Sequence, residues 1–408
     1  METESTQKPY VKDMFAAIMK KIGELNHLKD VDTILDKILY EARRMSHADA
    51  GTIFLVEDDM LRFAFVHNDT LFNVDEATEK IYLDFSLPMN DQSIVGYAAS
   101  RNETVMLDDA YKIPPGKPYS FNDNYDRKSG YKTISMLTIP LQAIHDRLVG
   151  VMQLINAKDE NGQIGPFAQK TLEYIPLFAN EAAFAISRGI MTREMILRMV
   201  KMAELRDPAE TGAHVQRVGA FCAEIYQQWA KNQGVELQEM IRTKDSIRLA
   251  SMLHDVGKVG IPDKILKKPG KLDDEEYNHM KWHTVFGGRL FANQTSNLDT
   301  MSMEIALYHH EKWAGGGYPG KIDNMMSDKL KMDNPKKVDE IPLSARITAL
   351  ADVYDALSSK RCYKEAWTDE KSLGIIKEDS GKHFDPDVVD AFFQILPIIK
   401  AIQNKYKG

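Results

Sequence analysis

The sequence predicts two folded parts of different classes, an α+β domain followed by an all-α domain. The chain has 408 residues, too many for one hydrophobic core and enough for two. Short apolar runs bounded by turn residues, such as GTIFLVEDD and SMLTIPLQA, lie in the first half and are typical of β-strands. From Arg206 onward helical patterns dominate, broken by loops such as VGIPDKILKKPGKL, and this favours a helical second half.

Composition narrows the class of protein further. With 43% apolar and 27% charged residues, the chain resembles globular rather than disordered proteins. The net charge of −8 argues against binding of long nucleic acid, but allows a small anionic ligand in a local basic pocket. Two cysteines, Cys222 and Cys362, are too few for a disulfide framework or a thiolate metal site. The opening METESTQKPYVKD lacks a leader pattern and no apolar run approaches ~20 residues, so a cytoplasmic protein without a membrane span is expected.

The first domain is expected at residues 30–188, after an N-terminal helix or extension at 1–29. DVDTILDKILYEARRM places Ile34 and Ile38 on the apolar stripe of an amphipathic helix. GTIFLVEDD and LRFAFVHND predict two strands joined by an acidic turn, and TVMLDD, SMLTIPLQA and LVGVMQLINAKD predict three more. An antiparallel sheet flanked by helices follows from this order.

This order of elements resembles a GAF domain, most clearly in SMLTIPLQAIHDRLVGVMQLINAKD before a closing helix. GAF domains are small sensory modules and are often dimeric. The resemblance therefore implies either a small ligand of unknown identity or a degenerate sensor that only dimerises. The polar segment from Leu107 to Thr133 is long enough to form a lid over a pocket.

A helix is predicted over residues 166–206, where it closes the first domain and leads into the second. Its apolar residues recur at steps that are mostly three or four residues long: Leu172, Ile175, Ala179, Ala182, Ile186, Ile196, Met199 and Ala203. Such spacing suits a two-stranded coiled coil, which is the favoured interpretation. An amphipathic helix packed on its own domain has the same pattern, and Gly189 interrupts the seam.

Histidines and acids gather in the second domain, which is expected at residues 200–408. Glu210 and His214 are four residues apart, so both leave the same face of a helix. Asp255 follows His254 at the end of an apolar run, and its two oxygens could bridge two metal ions. Further candidates stand in apolar surroundings: His283, His309, His310 and Asp352.

Each of these residues has an ordinary explanation by itself, as a hydrogen-bonded core histidine or a capping acid. Together they would require several apolar helices each to bury a polar group separately, whereas one shared cation cluster satisfies all of them. Imidazole and carboxylate ligands without thiolate disfavour structural zinc and suit iron, manganese or catalytic zinc. Eight candidates exceed the need of one ion, so two or three ions sharing Asp255 are expected, an arrangement that promotes in-line phosphoryl displacement.

The second domain also resembles the HD-GYP branch of the HD phosphohydrolases. The motifs that carry this resemblance occur in order: RDPAETGAH, HDVGK, MKWH, HHEKW, GGGYP, RITALADVYDAL and GKHFDP. The resemblance implies a phosphodiesterase that opens cyclic di-GMP or 3′,3′-cyclic GMP-AMP to the linear dinucleotide. It also implies a centre of two or three divalent metal ions, with iron as the first choice and manganese as the alternative.

Carried over motif by motif, the resemblance implies a role for each matching residue. The implied metal ligands are Glu210, His214, His254, Asp255, His283, His309, His310 and Asp352, with Glu210 admitting a third ion. His254, Asp255 and Lys258 are implied to be catalytic, Lys258 by holding a substrate phosphate. Further substrate contacts are implied for Tyr318, Arg361 and Lys364.

Three departures from the family pattern surround the expected substrate pocket. Ala314 stands where an acid or amide is usual, and Cys362 stands after Arg361 where proline is usual. An insert, KIDNMMSDKLKMDNPKKVDE at 321–340, lengthens the loop after the GYP triplet. This basic insert could act as a lid that alters substrate choice, or it could be a solvated surface loop.

The sequence thus predicts a cytoplasmic cyclic dinucleotide phosphodiesterase, regulated by a GAF sensor and dimeric through that domain and the helix at 166–206. A catalytically silent cyclic-dinucleotide receptor is one alternative, but it would have no chemical need for Asp255 or Glu210. Another HD-type hydrolase, acting on nucleoside triphosphates or alarmones, is the second, and the GYP-side motifs argue against it. The sequence leaves open the preferred dinucleotide, the native metal and the ligand of the GAF domain.

Overall fold

A computed structural model describes most of the chain, in residues 16, 18–71, 85–143, 147–205, 212–327, 330–359 and 367–406. The chain divides into two compact units, Met1–Met191 and Thr192–Gly408. Within the described ranges, each helix is too short or too polar to span a bilayer.

The described part of the first unit is built on an antiparallel sheet of seven strands. The strands are β1 Ala48–Glu57, β2 Met60–Asn68, β3 Ser86–Pro88, β4 Val105–Leu107, β5 Met136–Gln142, β6 Leu148–Lys158 and β7 Ile164–Gly165. Their order across the sheet is β3-β2-β1-β6-β5-β4, with β7 paired to β6. Residues 18–26 are helical. The helices that follow are α1 Val31–Ser46, α2 Ile94–Arg101, α3 Asn124–Ser129 and α4 Thr171–Glu204. The predicted α+β class is confirmed.

The helix α1 forms for reasons that are visible in its sequence. Asp30 caps its first turn, because its carboxylate accepts a hydrogen bond from the backbone N–H of Thr33 at 3.0 Å. Ile34 and Ile38 on its apolar stripe are fully buried, as predicted. The acidic turn between β1 and β2 places Asp58 and Asp59 in the left-handed region, which short polar side chains tolerate.

The segment between Leu107 and Thr133 packs into the first unit rather than standing away from it. Tyr119 lies in a buried cluster with residues of the sheet and of α2. The carboxylate of Asp126 accepts hydrogen bonds from the backbone and hydroxyl of Thr133, at 2.7 and 2.9 Å. An open cleft of about 710 Å³ lies elsewhere, where the end of α1 meets β6, β7 and the start of α4. The segment is therefore anchored to the unit through Tyr119 and Asp126, while most of its residues are exposed, and it does not line this cleft.

The long helix α4 buries most of the apolar stripe that the sequence singled out, whereas Met199 on this stripe is 44% exposed. Ile175, Ala179 and Ile186 are fully buried in the first unit. At Gly189 the backbones of α4 and α1 approach so closely that an added Cβ would lie 2.9 Å from Cδ1 of Ile34, which is why glycine stands there. The favoured assignment of this stripe to a dimer seam is therefore wrong. These residues pack on their own domain, as the other interpretation held.

The described part of the second unit is helical, which confirms the predicted all-α class. Its helices after α4 are α5 Gly212–Asn232, α6 Leu237–Ser251, α7 Asp263–Leu266, α8 Asp274–Leu290, α9 Asn297–Tyr308, α10 Leu343–Ser358, α11 Asp369–Glu378, α12 Pro386–Gln394 and α13 Leu396–Lys405. Short 3₁₀ helices occupy Val256–Gly260 and Val338–Glu340. The end of α4 joins this unit through Ile196 and Val200, which pack against Leu249 of α6.

A close backbone contact brings the predicted site residues together. The 3₁₀ helix after Asp255 lies against α8, and a Cβ added at Gly257 would come within 1.9 Å of the carbonyl oxygen of His283. Only glycine allows this approach, because any side chain would force the two segments apart. Gly257 therefore helps to set Asp255 beside His283.

The described residues of the insert at 321–340 are anchored to the second unit at both ends. Arg289 of α8 donates hydrogen bonds to the carbonyl oxygens of Met325 and Ser327, at 2.8 and 2.9 Å. The buried carboxylate of Glu311 accepts hydrogen bonds from the backbone N–H groups of Gly320 and Lys336, at 2.5 and 3.2 Å. The insert is thus attached to the domain through hydrogen bonds of its backbone. Part of it remains exposed to solvent.

Candidate metal centre

Most of the predicted ligands come from separate helices and converge on one place. His214 lies on α5, His283 on α8 and Asp352 on α10. His254 and Asp255 occupy the turn after α6, and His309 and His310 end α9. Glu210 lies outside the described residues.

These side chains form two neighbouring groups, in each of which the ligand atoms lie within 4.8 Å of one another. The first group consists of Asp255, His283, His309 and His310, and the second of His214, His254 and Asp352. The rings of His254 and His309 connect the groups, with centroids 5.2 Å apart. The structure therefore brings together seven of the eight predicted ligands.

The carboxylate of Asp255 faces both groups. Its Oδ1 atom lies 3.2 Å from Nε2 of His283 and 3.7 Å from Nε2 of His309, in the first group. Its Oδ2 atom lies 3.4 Å from Nε2 of His254, in the second group. A carboxylate with one oxygen directed toward each group is placed as a bridge between two cations would be.

Backbone hydrogen bonds fix which nitrogen of each histidine is available. A carbonyl oxygen can only accept, so a ring nitrogen that bonds to one must carry the hydrogen. The pairs are Nδ1 of His254 with Ser251 at 2.8 Å, Nδ1 of His283 with Met280 at 2.7 Å, and Nδ1 of His309 with Ile305 at 2.9 Å. Each Nε2 atom is therefore left with its lone pair, and second-sphere bonds of this kind are usual for histidines that bind metals.

Several of the candidate ligand atoms are buried without a hydrogen bond to another described residue. Oδ1 of Asp255, Nε2 of His283 and Nε2 of His309 are buried and have no hydrogen-bond partner among the described residues. Leaving buried acceptors unpaired costs free energy, and native proteins rarely do so. A cation would satisfy all three at once, so the residues present fit a metal ion.

The electrostatics of the site favour the protonation states that metal ligands need. Burial alone would raise the pKa of Asp255, but the positive charge of Lys258 holds it well below its usual range, so the carboxylate is ionised. Burial lowers the pKa of His309, and lowers that of His310 well below its usual value. Neutral imidazole and ionised carboxylate are the forms that coordinate cations.

Asp355 is a site residue that the sequence interpretation missed. Its Oδ2 atom lies 2.8 Å from Nδ1 of His214, and Arg217 donates to the same carboxylate from Nε at 2.5 Å and from Nη2 at 2.9 Å. Burial would raise the pKa of Asp355, but these hydrogen bonds lower it. Nε2 of His214 is consequently left to face Asp352, 3.6 Å away. The signal in the sequence was the spacing of Asp352 and Asp355, which are three residues apart on one helix.

The residues predicted to contact substrate are only partly described. Nζ of Lys258 lies 2.8 Å from Oδ2 of Asp255, and the ring of Tyr318 stacks on His310 with centroids 4.8 Å apart. Arg361 and Lys364 lie outside the described residues. Arg346, six residues before Asp352 on α10, pairs with Asp385 at 2.6 Å and with Asp339 at 3.3 Å.

Comparison with known proteins assigns a family to each unit. Residues 30–186 match the model of the GAF domain, and residues 198–388 match that of the HD domain. The chain is 40% identical over 203 residues to "3'3'-cGAMP-specific phosphodiesterase 2" of Vibrio cholerae, covering 50% of this chain and 34% of the relative. It is 38% identical over 276 residues to a "Cyclic di-GMP phosphodiesterase" of the same organism, covering 65% of this chain and 51% of the relative.

A "Cyclic di-GMP phosphodiesterase" of Thermotoga maritima is also 38% identical, over 213 residues that make up 52% of each chain. The present chain thus spans about half or less of the length of these relatives. The two domain matches lie one after the other and agree with the α+β and helical classes of the two units. The chain therefore contains a GAF domain at residues 30–186, followed by an HD domain at residues 198–388.

Proposed function

We propose that this protein is a metal-dependent phosphodiesterase that hydrolyses a cyclic dinucleotide, cyclic di-GMP or 3′,3′-cyclic GMP-AMP, to the linear dinucleotide under control of its GAF domain. The observation that carries the proposal is the carboxylate of Asp255, placed between two histidine-rich groups. A receptor without catalytic activity would have no chemical need for such a bridge. The substrate class is supported by the names of the HD-domain relatives.

Each of the two groups would hold one ion, with Asp255 shared between them. Glu210, outside the described residues, is the proposed ligand of a third ion. Imidazole and carboxylate ligands without thiolate suit iron, manganese or catalytic zinc, and the resemblance to HD-GYP proteins favours iron first and manganese second. When bound, such ions lower the pKa of a coordinated water and stabilise the charge that develops on the phosphoryl oxygens.

The chain's own residues would bind and orient the diester. The ammonium of Lys258 lies at the edge of the cluster beside Asp255, where it can attract a phosphate oxygen. Tyr318 forms a wall next to His310 and so limits where the nucleotide can lie. Arg361 and Lys364 are proposed as further phosphate contacts on their place in the sequence alone. Lys258, Arg361 and Lys364 together supply local positive charge in a chain whose net charge is −8.

We also propose that the protein forms a homodimer through α4, on a different face from the one that the sequence suggested. Leu177, Phe184 and Met191 recur every seven residues and are 51%, 38% and 59% exposed. Met195 and Met202, also seven residues apart, are 57% and 70% exposed. Exposed apolar side chains at heptad spacing can pack against the same side chains on α4 of a second copy, as in a two-stranded coiled coil.

The proposed site of action is the cytoplasm. Cys222 is a buried free thiol, and free thiols are the rule in reducing compartments. Fractionation of the source cells, with activity followed in each fraction, tests this assignment.

Chromatography of reaction products tests the proposed activity. Protein purified without oxygen and supplied with Fe(II) or Mn(II) should convert at least one of the two cyclic dinucleotides to its linear form. Chelation should stop the reaction and added metal should restore it. Metal-loaded protein that leaves both dinucleotides intact but binds them would support the receptor instead. Hydrolysis of nucleoside triphosphates or alarmones alone would support the other HD-type activity.

A further inference from the structure

An aromatic surface lies beside the candidate metal centre and extends outward from Tyr318. It consists of Tyr277 and Lys281, one turn apart on α8, together with Tyr318, and we call it the aromatic shelf. The rings of Tyr277 and Tyr318 have centroids 6.4 Å apart and are nearly perpendicular, at 81°. Nζ of Lys281 lies 4.9 Å from the centre of the Tyr277 ring and 5.8 Å from that of Tyr318. The cation thus holds both rings through cation–π contacts.

The aromatic shelf is joined directly to the candidate ligands. Tyr318 stacks on His310 at a centroid distance of 4.8 Å and an angle of 28°. The same ring lies edge-on to His283, 6.4 Å away. Tyr277 is the next ring outward, and 47% of its surface remains exposed although Lys281 and Tyr318 contact it. Tyr277 therefore presents a partly exposed aromatic ring beside the candidate metal centre.

We propose that Tyr277 stacks on a purine base of the cyclic dinucleotide and that Lys281 is a positioning residue that holds the ring in place. This inference rests on the proposed function. A ribose separates each base from its phosphate, so a surface for the base must lie beside the phosphate site and not within it. The aromatic shelf meets this requirement, since it begins one ring away from His310. Exposed aromatic faces are the usual partners of unpaired bases.

Stacking also predicts how the contact treats the two dinucleotides. Every base presents a π face, so a stacking contact tolerates guanine and adenine alike. Loss of Tyr277 should therefore weaken binding of cyclic di-GMP and of 3′,3′-cyclic GMP-AMP to a similar extent. Discrimination between them would fall to hydrogen-bonding groups elsewhere.

Calorimetric titration of phosphorothioate analogues of both dinucleotides into the full-length, metal-loaded protein tests the inference. Tyr277→Ala should raise both dissociation constants about ten-fold, the typical effect of removing one base–aromatic contact. Tyr277→Phe keeps the ring and should restore affinity. Lys281→Met keeps the aliphatic stem without the charge and should weaken binding less than Tyr277→Ala does. Tyr125→Ala, at a 52% exposed tyrosine of the GAF domain, is the matched control and should bind normally.

Two further measurements separate stacking from damage to the metal centre. Metal content should be unchanged in Tyr277→Ala, and so should turnover of methyl p-nitrophenyl phosphate, a small diester without a purine. Wild-type affinity in Tyr277→Ala would overturn the inference, and so would an equal loss of activity toward the small diester and the dinucleotide. Wild-type protein that binds neither dinucleotide would overturn the proposed function itself, and the stacking role with it.

Discussion

The carboxylate of Asp355 lies 2.8 Å from Nδ1 of His214 and thereby directs the opposite nitrogen of that ring toward Asp352. Asp355 is itself held by Arg217 through two hydrogen bonds. Arg217 and Asp355 thus fix the orientation of the His214 ring. Backbone carbonyl groups do the same for His254, His283 and His309. Support of this kind commonly tunes both the affinity and the geometry of metal sites.

Asp355→Asn should lower metal affinity by about 10- to 100-fold, because the amide cannot replace the carboxylate behind His214. Competition with a coloured chelator measures the change. Asp339→Asn provides a matched control, since Asp339 also pairs with an arginine but at an exposed position. An Asp355→Asn protein that is folded and binds metal like wild type would show that Asp355 only stabilises the fold.

Asp255→Asn should remove ions from both groups, whereas His283→Ala should weaken only the first. The reason is that Asp255 faces both groups and His283 faces one. Metal analysis of the two variants, purified without oxygen, makes the comparison. Loss of a single ion in Asp255→Asn would contradict the bridging role.

The sequence was sufficient to predict which residues converge, because several apolar helices each carried one polar group that had to be satisfied. It was also sufficient for the strands of the first unit, whose short apolar runs end at turn residues. It did not predict Asp355, because a spacing of three residues from Asp352 does not reveal that this carboxylate pairs with His214 and Arg217.

The face of α4 was assigned wrongly for a related reason. Apolar residues line two sides of this helix, and periodicity alone does not say which side its own domain covers. Ile175 and Ile186 are covered, and Phe184 and Met195 are exposed. The packing of α1 against Gly189 shows which side of the helix its own domain covers.

Met195→Lys combined with Met202→Lys should convert a dimer to monomers, because a charge at the centre of an apolar seam is costly to bury. Analytical ultracentrifugation at several concentrations measures the change in mass. Met326→Lys is the control, since Met326 is 63% exposed but lies in the insert. A double variant that remains dimeric would place the interface elsewhere.

Arg361→Ala should raise the dissociation constant for a non-hydrolysable cyclic dinucleotide by about 10- to 100-fold, which corresponds to ~1.5–3 kcal/mol for a charge-assisted hydrogen bond. Metal content should not change, because a guanidinium has no lone pair to donate. Titration and metal counting on the same sample test both statements. Affinity equal to that of wild type would reject the phosphate contact, which has been predicted from sequence alone.

Asp49 should control the stability of the GAF domain. This buried carboxylate pairs with Lys158 and accepts hydrogen bonds from Tyr131 at 2.7 Å and Thr70 at 2.9 Å. Burial would raise the pKa of Asp49, but these partners lower it. Asp49→Ala should therefore reduce the free energy of unfolding by about 1–3 kcal/mol, because it leaves the buried hydroxyl of Tyr131 without its acceptor and the partly exposed Lys158 without its ion-pair partner.

The same residue predicts a pH dependence. A group with a lowered pKa in the folded state contributes stability that is full above its unfolded pKa, about 4 for aspartate, and is lost as the pH falls through the folded value. The advantage of wild type over Asp49→Ala should therefore be constant near neutral pH and shrink below pH ~4. Urea denaturation across this range, followed on the GAF transition, measures it. A constant difference down to pH ~2 would mean that Asp49 is not the titrating group.

Turnover of the cyclic dinucleotide as a function of bound metal per chain shows whether two or more ions act together at Asp255. Metal-free protein should be titrated with Fe(II) without oxygen, and linear product should be quantified at each measured stoichiometry. Because Asp255 connects two groups, activity should be absent with one ion per chain and should reach its maximum at two or three. Full activity with one ion or with none would contradict a shared metal centre, and no linear product from either dinucleotide at two or three ions would contradict the proposed activity.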